Sequence, residues 1–402
     1  MLAPQKTEVG EEAKTPPGDP TFDGDLAYDE SPPRALARRH RSVQRGRDPF
    51  LSPRDLDVLE AAFAGARRYL REERHDNPSV RAAAEWMLDN HYLVDRVRGQ
   101  LRHELPQGFQ QRLPRLAEGG RPRALAVAEF LYDGTGSELS LDELEQFLEA
   151  YQEITALTIA ELWALPALVR FTVLVRLRDV LERTRLNAIE PSVDPGTAAG
   201  RAIRALRLLA EIDWKEVFCR QSVTERLLLE DPARAYGTMD FETRDAYRRA
   251  VEEIAWSAEL GELEVSRAVL ERAREGPPDS RHDHVGFWLL GPGRTAFERV
   301  FGAPGLSLEQ RLLAHPRLTF FGLLSLAQLV LLAPIAAYLA RLDASIPTAI
   351  AALILCWFPA SVPATTFVHW LLAKLLRPRL LPKLDFGEGI PERFRTLVVV
   401  PT

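Results

Sequence analysis

Cysteine is nearly missing from this sequence: Cys219 and Cys356 are the only two in 402 residues. One lies in a polar helical stretch and the other in a long apolar one. A disulfide framework is therefore excluded, and a cysteine-based zinc site lacks ligands. Such usage suits a reducing compartment. Lysine is scarce too. Only Lys6, Lys14, Lys215, Lys374 and Lys383 are lysine among 51 basic residues, a bias expected of a GC-rich genome rather than of arginine chemistry. The net charge of −6 gives no global basis for nucleic-acid binding. There is no Walker loop and no Gly-rich dinucleotide turn. Alternating β-branched residues are lacking, apart from a short stretch near Val285–Leu290 and the last eight residues. Met1–Glu30 has no basic region followed by an apolar one, so it does not read as a secretory signal.

What the chain does have is helical periodicity and two long apolar runs, which predict an all-α protein with a membrane hairpin. Residues 1–50 are rich in Pro, Gly and charge and are expected to be disordered, because they offer too little apolar surface to offset chain entropy. Arg34, Arg38, Arg39, Arg41, Arg45 and Arg47 fall in this segment. They read as a solvated basic tail, with contact to anionic lipid as the functional alternative. Residues 51–310 are expected to form a soluble cytoplasmic helical domain. Ser52-Pro53-Arg54-Asp55 starts its first helix, which explains Asp55-Leu56-Asp57 as a helix start rather than a metal motif. Trp86, Leu93, Val97, Leu101 and Leu105 predict one amphipathic helix over about 79–105. Ser140-Leu141-Asp142-Glu143 and Thr158-Ile159-Ala160-Glu161 are capping boxes. The second opens a central bundle helix through Trp163 to Leu181, kinked at Pro166 and too charged at Arg170 and Arg176 to span a bilayer. Further helices are expected over about 198–230, 241–259 and 262–274.

Residues 318–340 and 346–373 carry no charge until their ends, and each is long enough to cross a ~30 Å hydrocarbon core at 1.5 Å per residue. Arg311, His315 and Arg317 flank one side. Lys374, Arg377, Arg379 and Lys383 flank the other. The positive-inside bias puts both flanks and the N-terminus in the cytoplasm, with Tyr338 and Trp370 as interfacial anchors. After a linker over 374–394, residues 395–402 end in Leu397-Val398-Val399-Val400-Pro401-Thr402. That run reads as the buried first strand of an α/β sheet. A lone strand is unstable, so the chain is expected to be cut at the start of a nucleotide-handling domain. Val400, Pro401 and Thr402 would then lie at the pocket rim, since ligands sit at the carboxyl ends of such strands.

Candidate chemistry elsewhere has structural explanations. Gly291-Pro292-Gly293-Arg294-Thr295 reads as a tight turn rather than a phosphate loop. His282 and His284 could supply two metal ligands, with no third nearby in sequence, and a polar surface loop is the simpler reading. Trp86 and Tyr92, beside Asp89, Asn90 and His91, could form a sugar platform. More simply, they alternate between core and solvent faces.

Several stretches taken together resemble a known family. They are Ala84–Tyr92, Leu101–Leu113 with its Leu-Pro-x-Gly turn, Leu157–Pro166, Tyr236–Arg248, His284–Leu290 and Gly389–Glu392. In this order they resemble the N-terminal part of the bacterial cyclic β-1,2-glucan synthases, over most of residues 80–402. The resemblance implies a very large multi-pass inner-membrane enzyme that uses UDP-glucose, starts on itself, elongates a β-1,2-linked chain and closes it into a ring. It implies a divalent metal, Mg or Mn, with UDP-glucose in the full-length protein, and no cofactor or catalytic residue in this segment. The partners it implies are the bilayer, UDP-glucose, glucan, and downstream transferase, hydrolase-like and phosphorylase-like domains. The self-glucosylation acceptor is not placed on Tyr92, Tyr151, Tyr236 or Tyr247. The expected role is a non-catalytic support for a glucosyltransferase. The alternative is a membrane-anchored helical interaction module without enzymatic activity.

Overall fold

The computed structural model describes residues 31–46, 48–72, 76–134, 138–186, 188, 193–302, 312–313, 315–376, 381–387, 389–390 and 392. The expected strand over 395–402, with Val400, Pro401 and Thr402, lies outside the described residues. So do Met1–Glu30, Arg47, Arg311, Arg377, Arg379 and Pro391. Helices dominate. The sole sheet among the described residues pairs Val43–Gln44 antiparallel with Arg115–Leu116. The chain divides into two compact units, residues 1–156 with 167–212, and residues 157–166 with 213–402.

The first unit is a helical bundle. Its helices are α1 (Pro32–Arg39), α2 (Pro53–Glu72), α3 (Pro78–Asp89), α4 (His91–Glu104), α5 (Gln107–Gln110), α6 (Arg123–Gly134), α7 (Leu141–Gln152), most of α8 (Ile159–Arg185) and α9 (Pro195–Glu211). Within the segment expected to be disordered, α1 forms and docks on α7. Leu36 and Ala37 are buried, Thr155 donates to the Ala37 carbonyl (2.9 Å), and His40 Nδ1 meets the Tyr151 hydroxyl (3.0 Å). Two apolar residues and two long-range polar contacts thus order a short stretch that composition alone marks as unstructured.

The helix expected over 79–105 is two helices. Asn90 breaks it: its side-chain amide donates to the Trp86 carbonyl (2.9 Å), closing α3 in place of a backbone N–H, while its carbonyl accepts from Arg207 (2.5 Å). Trp86 therefore serves α3, whereas Leu93, Val97 and Leu101 are buried on α4. The close packing of α3 on α9 depends on two glycines one turn apart. A Cβ at Gly196 would stand 2.9 Å from Ala82 Cβ, and one at Gly200 would stand 2.9 Å from Trp86 Nε1. The α8 helix is central, as its capping box predicts. Thr158 and Glu161 bond reciprocally (2.9 and 3.2 Å), and Leu168, Val169, Val173 and Leu174 are fully buried. Arg170 sits in this apolar face because Glu104 takes both oxygens to its Nη1 (2.9 and 2.8 Å).

The second unit holds α10 (Trp214–Gln221), α11 (Val223–Leu228), α12 (Phe241–Ala258), α13 (Glu262–Arg274), α14 (Val285–Leu289), α15 (Arg294–Val300), and the hairpin α16 (Pro316–Arg341) and α17 (Ile346–Leu375). The helix expected over 198–230 is interrupted by two caps. Asp213 accepts from the amides of Lys215 and Glu216, and Ser222 accepts from that of Glu225. The stretch at Val285 is helical, not extended.

The α16 and α17 helices pack on each other and are long and apolar enough to cross a membrane. Of their most apolar 18-residue windows only 11% and 0% is buried inside the protein, unlike a soluble core helix. Several polar side chains within them donate to backbone carbonyls, the kind of pairing that hydrocarbon favours. Gln328 donates to the Trp357 carbonyl (2.7 Å), and Ser361, Thr365 and Thr366 donate to carbonyls three or four residues back.

Trp163, half-buried, stacks on Phe218 at 4.7 Å and meets Phe241 edge-on at 5.9 Å. Trp163→Ala is expected to destabilise the second unit by about 3 kcal/mol, the lower end for a large aromatic because one edge stays in solvent. Chemical unfolding followed by fluorescence checks this, and a loss below about 1 kcal/mol would contradict the stacked arrangement.

Candidate functional site

The densest polar network in the second unit surrounds the start of α12. At its centre is Glu225, whose side chain is fully buried. The Ser222-x-x-Glu225 spacing is that of a capping box, in which the glutamate normally reaches back to the cap amide. Here the carboxylate turns inward instead. It accepts from the Tyr236 hydroxyl (2.6 Å), from Arg244 (2.7 Å) and from Arg248 (2.7 Å). Arg248 is itself fully buried, and Asp245 lies 3.3 Å from its other nitrogen. The Arg248 guanidinium also sits between the rings of Phe218 (5.0 Å) and Phe241 (4.6 Å), extending the stack that Trp163 begins. Burial opposes the Arg248 charge, yet Tyr236, Glu225 and Asp245 outweigh it and raise its pKa. Burial and the Glu225 charge push the Tyr236 hydroxyl up as well, so that it stays a donor.

Asp231 forms a second node. Its Oδ1 accepts the Val285 amide (3.0 Å). Its Oδ2 accepts the amides of Ala235 (3.1 Å) and Tyr236 (3.2 Å) and Nδ1 of His284 (2.8 Å). Burial alone would raise this carboxyl, but the His284 and Val285 hydrogen bonds prevail and hold it below the ordinary carboxylate value. Nε2 of His284 lies 3.0 Å from the Tyr247 hydroxyl, which burial and the Asp231 charge push up to about 12. A Cβ at Gly286 would stand 2.5 Å from both His284 Nε2 and the Tyr247 hydroxyl, so the node is closed to a ligand. Its work is to join Leu228–Tyr236 to the start of α14.

These nodes fix the first turns of α12, and the chain leaving the hairpin binds there. Asp240 caps the helix by accepting the Thr243 amide (2.8 Å). The Thr243 hydroxyl in turn accepts the amide of Lys383 (3.0 Å). The Asp240 amide donates to the Lys383 carbonyl (3.0 Å), and the Asp385 amide donates to the Thr238 carbonyl (2.9 Å). Met239 and Leu384 pair antiparallel between them. The bonds to Thr243, with Lys383 nearby, hold the Asp240 carboxyl below its ordinary value. Only seven residues separate Leu375 from Lys383, a reach of at most about 29 Å. The start of α12 is therefore tied to the end of the second span.

The residues singled out from sequence are not gathered into a site. His282 packs against Phe287 at 4.4 Å, while His284 is held by Asp231 and Tyr247. Trp86 lies on α3 against Arg204, and Tyr92 stands 59% exposed on α4. Asp55 accepts the Ser52 amide, and Asp57 pairs with Arg102. Gly293 precedes α15 in a turn. Among the described residues no three His, Cys, Asp or Glu side chains are grouped to hold a metal. The divalent metal implied by the resemblance finds no ligand set among these residues. The Glu225 node was not foreseen. Its visible signals were an Arg244–Arg248 spacing beside Tyr247 and a capping-box glutamate.

Glu225→Gln keeps the shape but leaves the buried Arg248 charge with only the more distant Asp245 carboxylate (3.3 Å) as counter-ion. The expected cost is about 3–5 kcal/mol, measured by unfolding of the 402-residue chain in detergent. A loss under about 1 kcal/mol would show that the node is not a structural centre.

No family model matches this chain. It is 24% identical over 412 aligned positions to the cyclic β-(1,2)-glucan synthase NdvB of Rhizobium meliloti (strain 1021), which covers 80% of this chain and 14% of that protein. The chain thus spans about one seventh of its relative's length. The matched share is larger than either helical unit alone, and the chain is a distant relative of the cyclic β-1,2-glucan synthases.

Proposed function

We propose that this chain is the N-terminal, non-catalytic part of a membrane glucosyltransferase that makes cyclic β-1,2-glucan from UDP-glucose. On this reading the helical units and hairpin anchor and position a downstream transferase domain at the bacterial inner membrane. The similarity to a glucan synthase supports the chemistry. The observation that carries the positioning role is the pairing of Lys383–Asp385 with Thr238–Asp240. A segment leaving the bilayer gains nothing by docking on a soluble helix unless its direction matters. Docking restricts how the chain after Asp385 can leave the membrane, and it lowers the entropy lost when a following domain is oriented towards the bilayer.

Topology supplies one test. Both flanks of the hairpin are expected in the cytoplasm, with residue 345 outside. In a chain whose Cys219 and Cys356 are replaced by serine, thiols are placed at Ser345→Cys or Glu388→Cys. An impermeant reagent applied outside spheroplasts should label 345 and spare 388, and the opposite pattern would reverse the orientation.

Catalysis supplies the other. Residues 1–402 alone should transfer no glucose from UDP-glucose, and robust transfer would sink the fragment reading. In the intact protein, Asp385→Pro deletes the amide that bonds Thr238 without touching the helical units. Incorporation of labelled glucose by membranes should fall roughly three- to tenfold, about 1 kcal/mol, as expected for one lost hydrogen bond. Unchanged incorporation at equal expression would remove the positioning role.

A further inference from the structure

We propose that the first unit carries a saccharide-binding cavity between α6, α8 and α9. The cavity measures about 400 Å³, within the range that holds small ligands. Its lining residues all belong to the first unit, and nothing in the support role requires it.

Its wall is built from fixed planar groups of both signs. Both carboxylate oxygens of Asp133 accept from Arg176, from Nε (3.0 Å) and from Nη2 (2.6 Å). This bidentate pair holds its plane without being buried, with 46% and 41% of the two side chains exposed. Asp179 takes both donors of Arg178 on one oxygen, Oδ1 (3.0 and 2.7 Å). Arg201 lies over the Tyr132 ring at 4.5 Å and donates to the Tyr132 carbonyl, which sets its orientation. Arg183 completes the polar side, and Leu177, Val180 and Ala198 supply apolar surface.

The mixture of charges selects the ligand class. A phosphate or carboxylate would meet Asp133 and Asp179, and a cation would meet three arginines. A neutral polyol satisfies both. One hydroxyl donates to a carboxylate while its neighbour accepts from a guanidinium, at the spacing that a bidentate pair offers. The C–H face of a sugar ring suits the apolar patch. Because the planar groups are already locked by their partners, little side-chain entropy is lost on binding.

The choice of a glucose disaccharide as probe rests on the proposed glucan reading, whereas the polyol chemistry does not. The 402-residue chain, in a zwitterionic detergent without sugar head groups and with no UDP-glucose, is titrated with β-1,2-linked diglucose and observed by saturation-transfer NMR. Saturable binding is expected. Ala198→Phe, which fills the cavity, and the double variant Asp133→Ala/Arg176→Ala, which removes the pair without stranding a charge, should each weaken it at least tenfold. Unchanged helicity by circular dichroism serves as the control, and whichever variant retains it decides. Lack of saturable binding, equal binding in a folded variant, or displacement by inorganic phosphate would overturn the assignment. Failure of glucosyl transfer in membranes would leave this binding result standing, so the two readings fail separately.

Discussion

The buried carboxylate of Glu225 is the constraint on which the second unit depends. A carboxylate with no solvent contact is tolerable only if its charge and lone pairs are matched. Arg244, Arg248 and the Tyr236 hydroxyl match them. Those three donors come from two segments, the turn at 236 and the first turns of α12, so satisfying one charge fixes both. The Phe218 and Phe241 rings then flank the second charge of the pair, and Trp163 packs against both rings. Asp231 repeats the solution with three backbone amides and a ring nitrogen. An apolar core of the same volume would hold these helices together as well. What it would not supply is a fixed rotation of α12, which is what presents Thr238, Asp240 and Thr243 to the returning chain.

The hairpin obeys a different solvent. In α16 and α17 many apolar side chains face outward, Thr365 folds back on a carbonyl of its own helix, and Gln328 donates to a carbonyl of the other. A soluble bundle hides its apolar stripe, and a membrane hairpin hides its hydroxyls and amides. The boundary between the regimes at the second span is short. Lys374 lies over the Trp370 ring at 5.2 Å, a cation and an aromatic at the interface, and Lys383 is already in the soluble clamp.

Much of this fold was legible in the sequence. Helix starts were clear because their signals are local: a cap, an acid three residues on and an apolar stripe behind. Ser140 and Thr158 behave as that logic requires. The two spans were clear because their composition has no other use. Long-range polar choices were not legible. Nothing local says that Asn90 will accept from Arg207, or that Glu225 will leave its capping role for the core. The pairing of residues 238–240 with 383–385 joins parts of the chain about 140 positions apart and uses mostly backbone groups, which carry no side-chain signature. The cavity at Asp133 and Arg176 was hidden for a related reason, since its residues come from three helices and each charge has an ordinary ion-pair explanation.

The energetics of the linker clamp explain why rigidity at α12 matters. Three hydrogen bonds contribute about 1 kcal/mol each, and half-burying Leu384 adds about 1 kcal/mol. Ordering three linker residues costs about 1–2 kcal/mol apiece in backbone entropy. The gains and costs nearly cancel. If the α12 side also had to be ordered on docking, the clamp would not close. It closes because the cap at Asp240 and the bonds to Glu225 have already ordered that side as part of folding the core. A surface pairing this weak stays in place only on a preformed platform. A buried ion pair thereby sets the path of a segment that docks on the helix it fixes.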